Sequence, residues 1–129
     1  MSLADRTVEK ALDLAQQFSQ IGQISAMGLD GLSGLKFDVV INGTSSSMQN
    51  ARLPIEDNIF SEGALAYDMF YAKELTPFLQ LAQSFGVRCV ADGLGMLVEQ
   101  AAQSYYLWNG FMPQTEPVIR YLRSLLERS

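Results

Sequence analysis

The chain has 129 residues, 48 % of them apolar, and a net charge of −5 at neutral pH. This length predicts one domain, and the apolar share is enough for a core of ordinary size. Lys and Arg form no dense stripe, which argues against nucleic acid or an anionic membrane surface as a partner. With no His and one Cys, the sequence offers no Ser-His or Cys-His couple, no intrachain disulfide and no set of zinc ligands.

The first half of the sequence predicts one helix, two strands and a long loop. Residues 1–3 are interpreted as a leader outside the native fold, and no secretory core follows them, which indicates a cytoplasmic location. Apolar residues that recur at helical spacing from Val8 to Phe18 predict an amphipathic helix, with Asp5 or Thr7 as its cap. The predicted elements are a helix over residues 7–20, strands over 23–27 and 37–41, and a surface loop over 45–58.

The second half predicts strands that alternate with helices. Thr76 before Pro77 marks a helix start, Gly86 marks its end, and Asp92 is placed to cap the next helix. Cys89 lies in an apolar run and is expected to be buried in a strand. The predicted elements are strands over residues 64–70 and 88–91 and helices over 76–85, 93–108 and 116–127, the last with Val118, Ile119, Leu122, Leu125 and Leu126 facing inward. Such alternation predicts an α/β fold with a mostly parallel sheet.

Polar and glycine residues stand where the predicted strands end. The segments are NGTS at residues 42–45, YDMFY at 67–71 and DGLGMLVEQ at 92–100. Carboxyl ends of parallel strands form the ligand edge of an open α/β sheet, so these segments are expected to line a binding site. At the first helix, Arg6 offers a planar donor fork, Thr7 a hydroxyl and Lys10 a second cation, next to a helix N-terminus that favours anions.

Together these segments resemble shikimate dehydrogenase, the NADP-dependent family that interconverts 3-dehydroshikimate and shikimate in aromatic amino-acid biosynthesis. The resemblance runs from about Asp5 to Leu126 and matches the C-terminal half of the family. It implies that residues 1–129 are part of a Rossmann-like, doubly wound α/β domain, with a mostly parallel sheet flanked by helices and the first two strands missing. The glycine-rich phosphate loop and the substrate domain, with its proton-handling Lys and Asp, would precede residue 1.

The resemblance also implies roles for single residues. No catalytic residue and no metal ligand is expected in this chain. The implied contacts are the adenosine 2′-phosphate for Arg6, Thr7 and Lys10, the ribose and nicotinamide for Asn42 and Thr44, the nicotinamide for Met69 and Gly93, the shikimate carboxylate for Tyr71, and a shikimate hydroxyl for Gln100.

Two departures from the family pattern leave alternatives open. Asp5 stands where the family has Asn, and a carboxylate there is typical of NAD enzymes, while Lys10 replaces an Arg. The two cations, Arg6 and Lys10, against the one anion still favour NADP over NAD, and the quinate/shikimate branch that uses NAD stays an alternative. A stand-alone binding or scaffold module without chemistry is the second alternative.

Two further expectations follow from the missing segments. Alone, the chain is expected to be inactive and to bind NADP weakly at best, because a cofactor wall without a proton-handling group does not complete the reaction. The strand over residues 37–41 would also lack its central neighbour. A homodimer or a segment exchange through the exposed sheet edge is therefore expected.

Overall fold

The computed structural model describes residues 1–46, 49, 51–55 and 58–128, and this part of the chain is α/β. In chain order the elements are β1 (Ser2–Asp5), α1 (Val8–Gln17), β2 (Ser25–Gly28), a short 3-10 helix (Asp30–Leu32), β3 (Phe37–Asn42), β4 (Phe60–Asp68), α2 (Pro77–Ser84), β5 (Cys89–Asp92), α3 (Leu94–Asn109) and α4 (Glu116–Arg128). The predicted helices and strands are confirmed within a few residues. The expected loop over 45–58 lies partly outside the described residues. Within them, no helix is long and apolar enough to cross a membrane.

All strand pairs recorded in the described residues are parallel, in two sheets. β1 pairs with β2, and β3, β4 and β5 pair in that order. The interpretation of residues 1–3 as a leader was wrong, because Ser2 pairs with Ser25 and Leu3 with Ala26. β1 also precedes the Arg6 helix, where the expected fold has its second strand. The expectation that the first two strands are missing was therefore wrong for the second of them.

The core lies on one face of the three-stranded sheet, under α2. Ala66 on β4 is fully buried and Phe78 on α2 is 1 % exposed, and the Phe78 ring lies 6.4 Å from that of Phe60. Thr76 caps α2 by accepting a hydrogen bond from the backbone N–H of Leu79. The smaller sheet joins the same core through partly buried apolar residues, which are Ala4, Met27 and Leu29.

The opposite face of the three-stranded sheet is open to solvent. Val39 is 53 % exposed and Ile41 62 % exposed, and both lie in register with half-buried β4 residues. Cys89 shares this face, because its register partner on β4, Leu65, is also the partner of Val39. The expectation that Cys89 is buried was wrong, since no described element covers this face and the thiol is exposed.

The last helix also departs from expectation. The apolar residues predicted to face inward on α4 are not buried, and Val118 and Leu125 remain 44 % and 39 % exposed. α4 packs against α3, and its helical periodicity is that of an amphipathic helix. The spacing of apolar residues correctly predicted an apolar stripe on α4. Among the described helices only α3 packs against it, so the stripe remains partly exposed.

Candidate functional site

The candidate site is the carboxyl edge of the strands. Asn42, Asp68 and Asp92 end β3, β4 and β5, and the register places them in one row across the sheet. Asp5 ends β1 on the same side, because it lines a cleft together with Gly43 beyond the end of β3. Polar residues from four strands therefore meet at the ligand edge that the sequence predicted.

Asp68 lies at the centre of this row and is fully buried. Its Oδ2 accepts a hydrogen bond from the Thr76 hydroxyl at 2.5 Å. Its Oδ1 accepts from the Asn42 side-chain amide at 3.2 Å and from the backbone N–H of Phe70 at 3.1 Å. A buried carboxylate needs such donors, because burial without them is costly. Asp68 thus joins β3, β4 and the start of α2, a role that the sequence did not indicate.

The contact with Asp68 orients Asn42 for the turn that follows it. While the Asn42 amide donates to Asp68, its Oδ1 accepts from the backbone N–H and the hydroxyl of Thr44, at 3.1 and 2.8 Å. The Thr44 hydroxyl also lies 2.6 Å from that of Ser46. The buried side chain of Asn42 therefore connects the predicted NGTS turn to the core. Its amide nitrogen donates to Asp68 on β4, and its amide oxygen accepts from Thr44 in the turn.

Met69 connects the turn to the start of α3. A Cβ at Gly43 would lie 3.2 Å from Met69 Sδ, and a Cβ at Gly93 would overlap the Met69 carbonyl group. The Gly93 N–H also donates to the carbonyl of Phe70 at 3.1 Å. Gly93 was expected to leave its backbone open to a cofactor ring. The structure shows another requirement for glycine there, the close approach of the Met69 main chain.

The residues predicted to hold a phosphate line one cleft of about 520 Å³ at the start of α1. Arg6, Thr7, Lys10 and Thr44 all border it. Arg52 borders it too and adds a cation that the sequence did not single out. Three cationic side chains, four hydroxyl-bearing residues and a helix N-terminus, beside the single carboxylate of Asp5, form a donor set that fits a phosphate group.

Asp5 in the same cleft has a local hydrogen bond of its own. Its Oδ1 accepts from the backbone N–H of Thr7 at 2.8 Å, just before α1 begins. The Thr7 side chain makes no capping hydrogen bond. Of the two caps considered from the sequence, Asp5 is therefore the residue whose side chain satisfies a backbone donor at this helix start.

The two predicted substrate residues lie further along the edge. Tyr71 is half-buried, and its ring stacks on Phe70 with centroids 6.2 Å apart. Gln100 lies on the exposed side of α3, two turns after its first residue. In the described part of the chain, no hydrogen bond joins the Gln100 side chain to Tyr71.

An ion pair closes the far end of the row. Gly93 is the N-cap residue of α3, and Asp92, just before it, accepts from the backbone N–H of Leu94 through Oδ1, as the predicted cap requires. The same Oδ1 accepts from Arg123 Nη2 at 2.6 Å. Arg123 also donates to the Ala72 carbonyl, and the hydrogen bond with Asp92 raises the pKa of its guanidinium. Burial, with Asp92 nearby, raises the pKa of Tyr67, so this phenol stays protonated at neutral pH. The sequence did not indicate Arg123.

Replacing Asp68 by Leu should destabilise the chain, because the donors of Asn42 and Thr76 would lose their buried acceptor. At about 1–3 kcal/mol for each orphaned donor, the free energy of unfolding should fall by about 2–6 kcal/mol. Urea unfolding followed by circular dichroism measures it. Asp38→Leu, on an exposed position of β3, is the matched control, and equal losses for the two variants would contradict the assigned role of Asp68.

A family described as the shikimate 5′-dehydrogenase C-terminal domain matches residues 93–123, which include all of α3 and the first part of α4. A shikimate dehydrogenase (NADP⁺) from Nitrosospira multiformis is 51 % identical over 124 residues, which are 96 % of this chain and 45 % of that protein. The chain thus spans less than half the length of the curated relatives it matches.

Solved structures agree with the sequence relatives. An Ael1 enzyme from Pseudomonas putida superposes with a TM-score of 0.86 at 39 % identity, covering 94 % of this chain and 44 % of that one. Shikimate 5-dehydrogenase from Thermus thermophilus, solved with NADP(H) and shikimate, superposes with a TM-score of 0.77 at 27 % identity, covering 95 % and 45 %. The α/β, Rossmann-like architecture is therefore confirmed, and over nearly its whole length the chain is similar to shikimate dehydrogenases, of which it spans about 45 %.

Proposed function

We propose that this chain forms one wall of the cofactor and substrate sites of an NADP-dependent shikimate dehydrogenase, which interconverts 3-dehydroshikimate and shikimate. The main support for the proposal is that the predicted binding residues adjoin one another along the edge where the strands end. The cationic cleft at Arg6 reaches Thr44, the same turn contacts Met69, and Met69 packs on Gly93. A dinucleotide is a long ligand with phosphate and ring ends, and a continuous edge of this kind suits it.

The cofactor-binding residues in this proposal divide along that edge. Arg6, Thr7 and Lys10 bind the adenosine 2′-phosphate, with Arg52 as a further cation in the same cleft. Asn42 and Thr44 lie beside the ribose and nicotinamide, and Met69 and Gly93 border the nicotinamide ring. The carboxylate of Asp5 already accepts the Thr7 N–H, which makes it less free for a ribose hydroxyl and favours NADP over NAD.

Substrate binding in this proposal rests on two side chains. Tyr71 donates a hydrogen bond to the shikimate carboxylate, and Gln100 binds a ring hydroxyl. NADP, when bound, supplies hydride chemistry. The contribution of this chain is to hold and orient both ligands, and none of its residues is assigned the transfer of the hydroxyl proton. The chain alone is therefore proposed to be inactive, and a cytoplasmic location stays a prediction.

A non-catalytic binding module is the second candidate. The feature that favours it is Gln100, whose side chain is exposed and unconnected to Tyr71 in the described part of the chain. The buried support beneath Asn42 and Thr44 favours the enzyme, since it holds a turn that a scaffold protein would not require.

Shikimate-dependent reduction of NADP, assayed at high concentration of this chain alone, should give no turnover above a no-protein control. Adding the remaining part of the Nitrosospira multiformis relative should restore turnover, because that part supplies the residues for proton transfer. Clear turnover by the chain alone would contradict the assignment of the proton-handling groups to other segments. No turnover by the mixture, once binding of the two parts is established, would favour the binding module.

Arg6→Ala should weaken NADP binding about 10- to 100-fold and leave NAD binding nearly unchanged. The reason is the loss of a charge-assisted contact to the 2′-phosphate, worth about 1.5–3 kcal/mol. Titration calorimetry with both cofactors, on this chain combined with the remaining part of the Nitrosospira multiformis relative, measures the change. Arg120→Ala on α4, whose side chain is 71 % exposed, is the matched control. Equal weakening of both cofactors would show that Arg6 does not read the 2′-phosphate.

We also propose that the chain, when alone, forms a homodimer or exchanges segments through the unpaired edge of β3. The expected light-scattering mass at high concentration is twice the 14.3 kDa of one chain. A parallel strand with an exposed edge and an apolar exposed face favours such association. A mass equal to one chain at every concentration would remove this part of the proposal.

A further inference from the structure

Arg123 on α4 donates hydrogen bonds to two segments that are distant from it in sequence. Its Nη2 atom lies 2.6 Å from Asp92 Oδ1 at the end of β5, and its Nη1 atom lies 3.2 Å from the carbonyl oxygen of Ala72, in the loop after β4. The side chains of Arg123 and Asp92 are 34 % and 15 % exposed, so this ion pair is partly shielded from water. A guanidinium presents several donors in one rigid plane, and the Arg123 side chain therefore fixes the distance between these two segments.

The first of these segments contains Tyr71, to which the proposed function assigns the shikimate carboxylate. The carbonyl of Phe70, just before Tyr71, accepts a hydrogen bond from the Gly93 N–H at 3.1 Å. The carbonyl of Ala72, just after Tyr71, accepts the hydrogen bond from Arg123. The main chain is therefore anchored on both sides of Tyr71. Because the direction of a side chain depends on its own main chain, the contact with Arg123 helps to set where the Tyr71 phenol points.

The second segment is the junction of β5 and α3, which contains Gly93. Asp92 Oδ1 accepts the backbone N–H of Leu94 at 3.3 Å in addition to the Arg123 guanidinium. The Met69 main chain lies so close to Gly93 that a Cβ there would overlap the Met69 carbonyl group. A displacement of Asp92 would therefore move Gly93 against its neighbour. The contact with Arg123 thus also acts on the residue that is proposed to border the nicotinamide.

We propose that Arg123 is a positioning residue of the shikimate site. It holds Tyr71 and Gly93 at the separation at which one meets the substrate carboxylate and the other borders the nicotinamide. The two nitrogens that form its contacts are directed at protein acceptors, so Arg123 acts through these segments and touches neither ligand. Such support matters because a small displacement of bound reactants slows their reaction steeply. The inference rests on the proposed function for the roles of Tyr71 and Gly93, but not for the contacts of Arg123.

Simple attachment of α4 to the rest of the chain is the competing role for this arginine. The same helix offers a comparison, because Arg120 and Glu116 lie 3.9 Å apart with side chains 71 % and 69 % exposed. That pair is local to the helix, and an exposed pair of this kind contributes little to stability. Arg123 instead reaches Asp92 and Ala72, which are 31 and 51 residues away. Attachment of α4 would require only one of these contacts, whereas the two together join segments that both belong to the proposed site.

Amide hydrogen exchange of the chain alone, followed by NMR, separates the two roles without any need for activity. Arg123→Ala should speed exchange of the Phe70 and Gly93 N–H groups about 10-fold or more, because both amides belong to the segments that would open locally. Exchange of the Ala66 amide, in the core of β4, should not change. Arg120→Ala is the matched control and should change none of the three. Unchanged exchange at Phe70 and Gly93, or equal acceleration at Ala66, would overturn the inference.

A second measurement uses this chain joined covalently behind the remaining part of the Nitrosospira multiformis relative. Arg123→Ala should raise the KM for shikimate about 10-fold and leave the KM for NADP within about 2-fold, because the cationic cleft at Arg6 lies at the other end of the edge. Arg123→Lys keeps the charge without the planar fork, so its KM for shikimate should lie between those of the unsubstituted joined protein and Arg123→Ala.

The outcomes distinguish this inference from the proposed function. An unchanged KM for shikimate in Arg123→Ala would overturn the positioning role. An unchanged KM in Arg123→Lys would show that charge alone is enough, and it would overturn the joint action on two segments. If the unsubstituted joined protein gives no turnover while Arg123→Ala still speeds exchange at Phe70 and Gly93, the contacts of Arg123 hold those segments as proposed and the proposed function is what fails.

Discussion

The buried carboxylate of Asp68 is the constraint on which the site depends. It accepts hydrogen bonds from Thr76, Asn42 and the backbone of Phe70, and so joins segments up to 26 residues apart in sequence. Such a group is stable in a core only while its donors remain in place. The same contacts that stabilise the fold therefore hold the Asn42 turn and the start of α2 in fixed relative positions.

Support for the site comes from the core face of the sheet, whereas none of the described residues forms a layer over the other face. Asn42 and Asp68 share the face that α2 covers, and Gly93 is held by the main chain of Met69 and Phe70. None of these contacts involves Val39 or Ile41 on the open face. The described residues therefore hold one wall of the site in place by themselves. The positions of these binding residues do not depend on a layer over the open face.

Local sequence signals predicted the helices and strands well, whereas the site residues that were not predicted depend on contacts between distant parts of the sequence. α2 was delimited correctly because Thr76, Pro77 and Gly86 each act on adjacent backbone, and Gly86 does adopt a φ of +87°. Arg52 was not predicted because the apolar residues of its segment follow neither helical nor strand spacing. Arg123 was not predicted because its partner Asp92 lies 31 residues away. Neither spacing nor composition specifies which distant side chains will meet.

The errors about burial have one physical origin. An apolar pattern predicts that one face of a helix or strand is buried. It does not predict whether the segment that buries it belongs to the same stretch of chain. Cys89 and the apolar stripe of α4 were expected inside for that reason, and both lie where the described residues provide no second layer or only one neighbour. At Val39, Ile41 and Cys89 the structure leaves apolar strand residues exposed, because the described residues place no element over that face. For this chain, that face runs across the sheet from Val39 on β3 through Leu65 on β4 to Cys89 on β5, so one uncovered face explains why Cys89 is exposed.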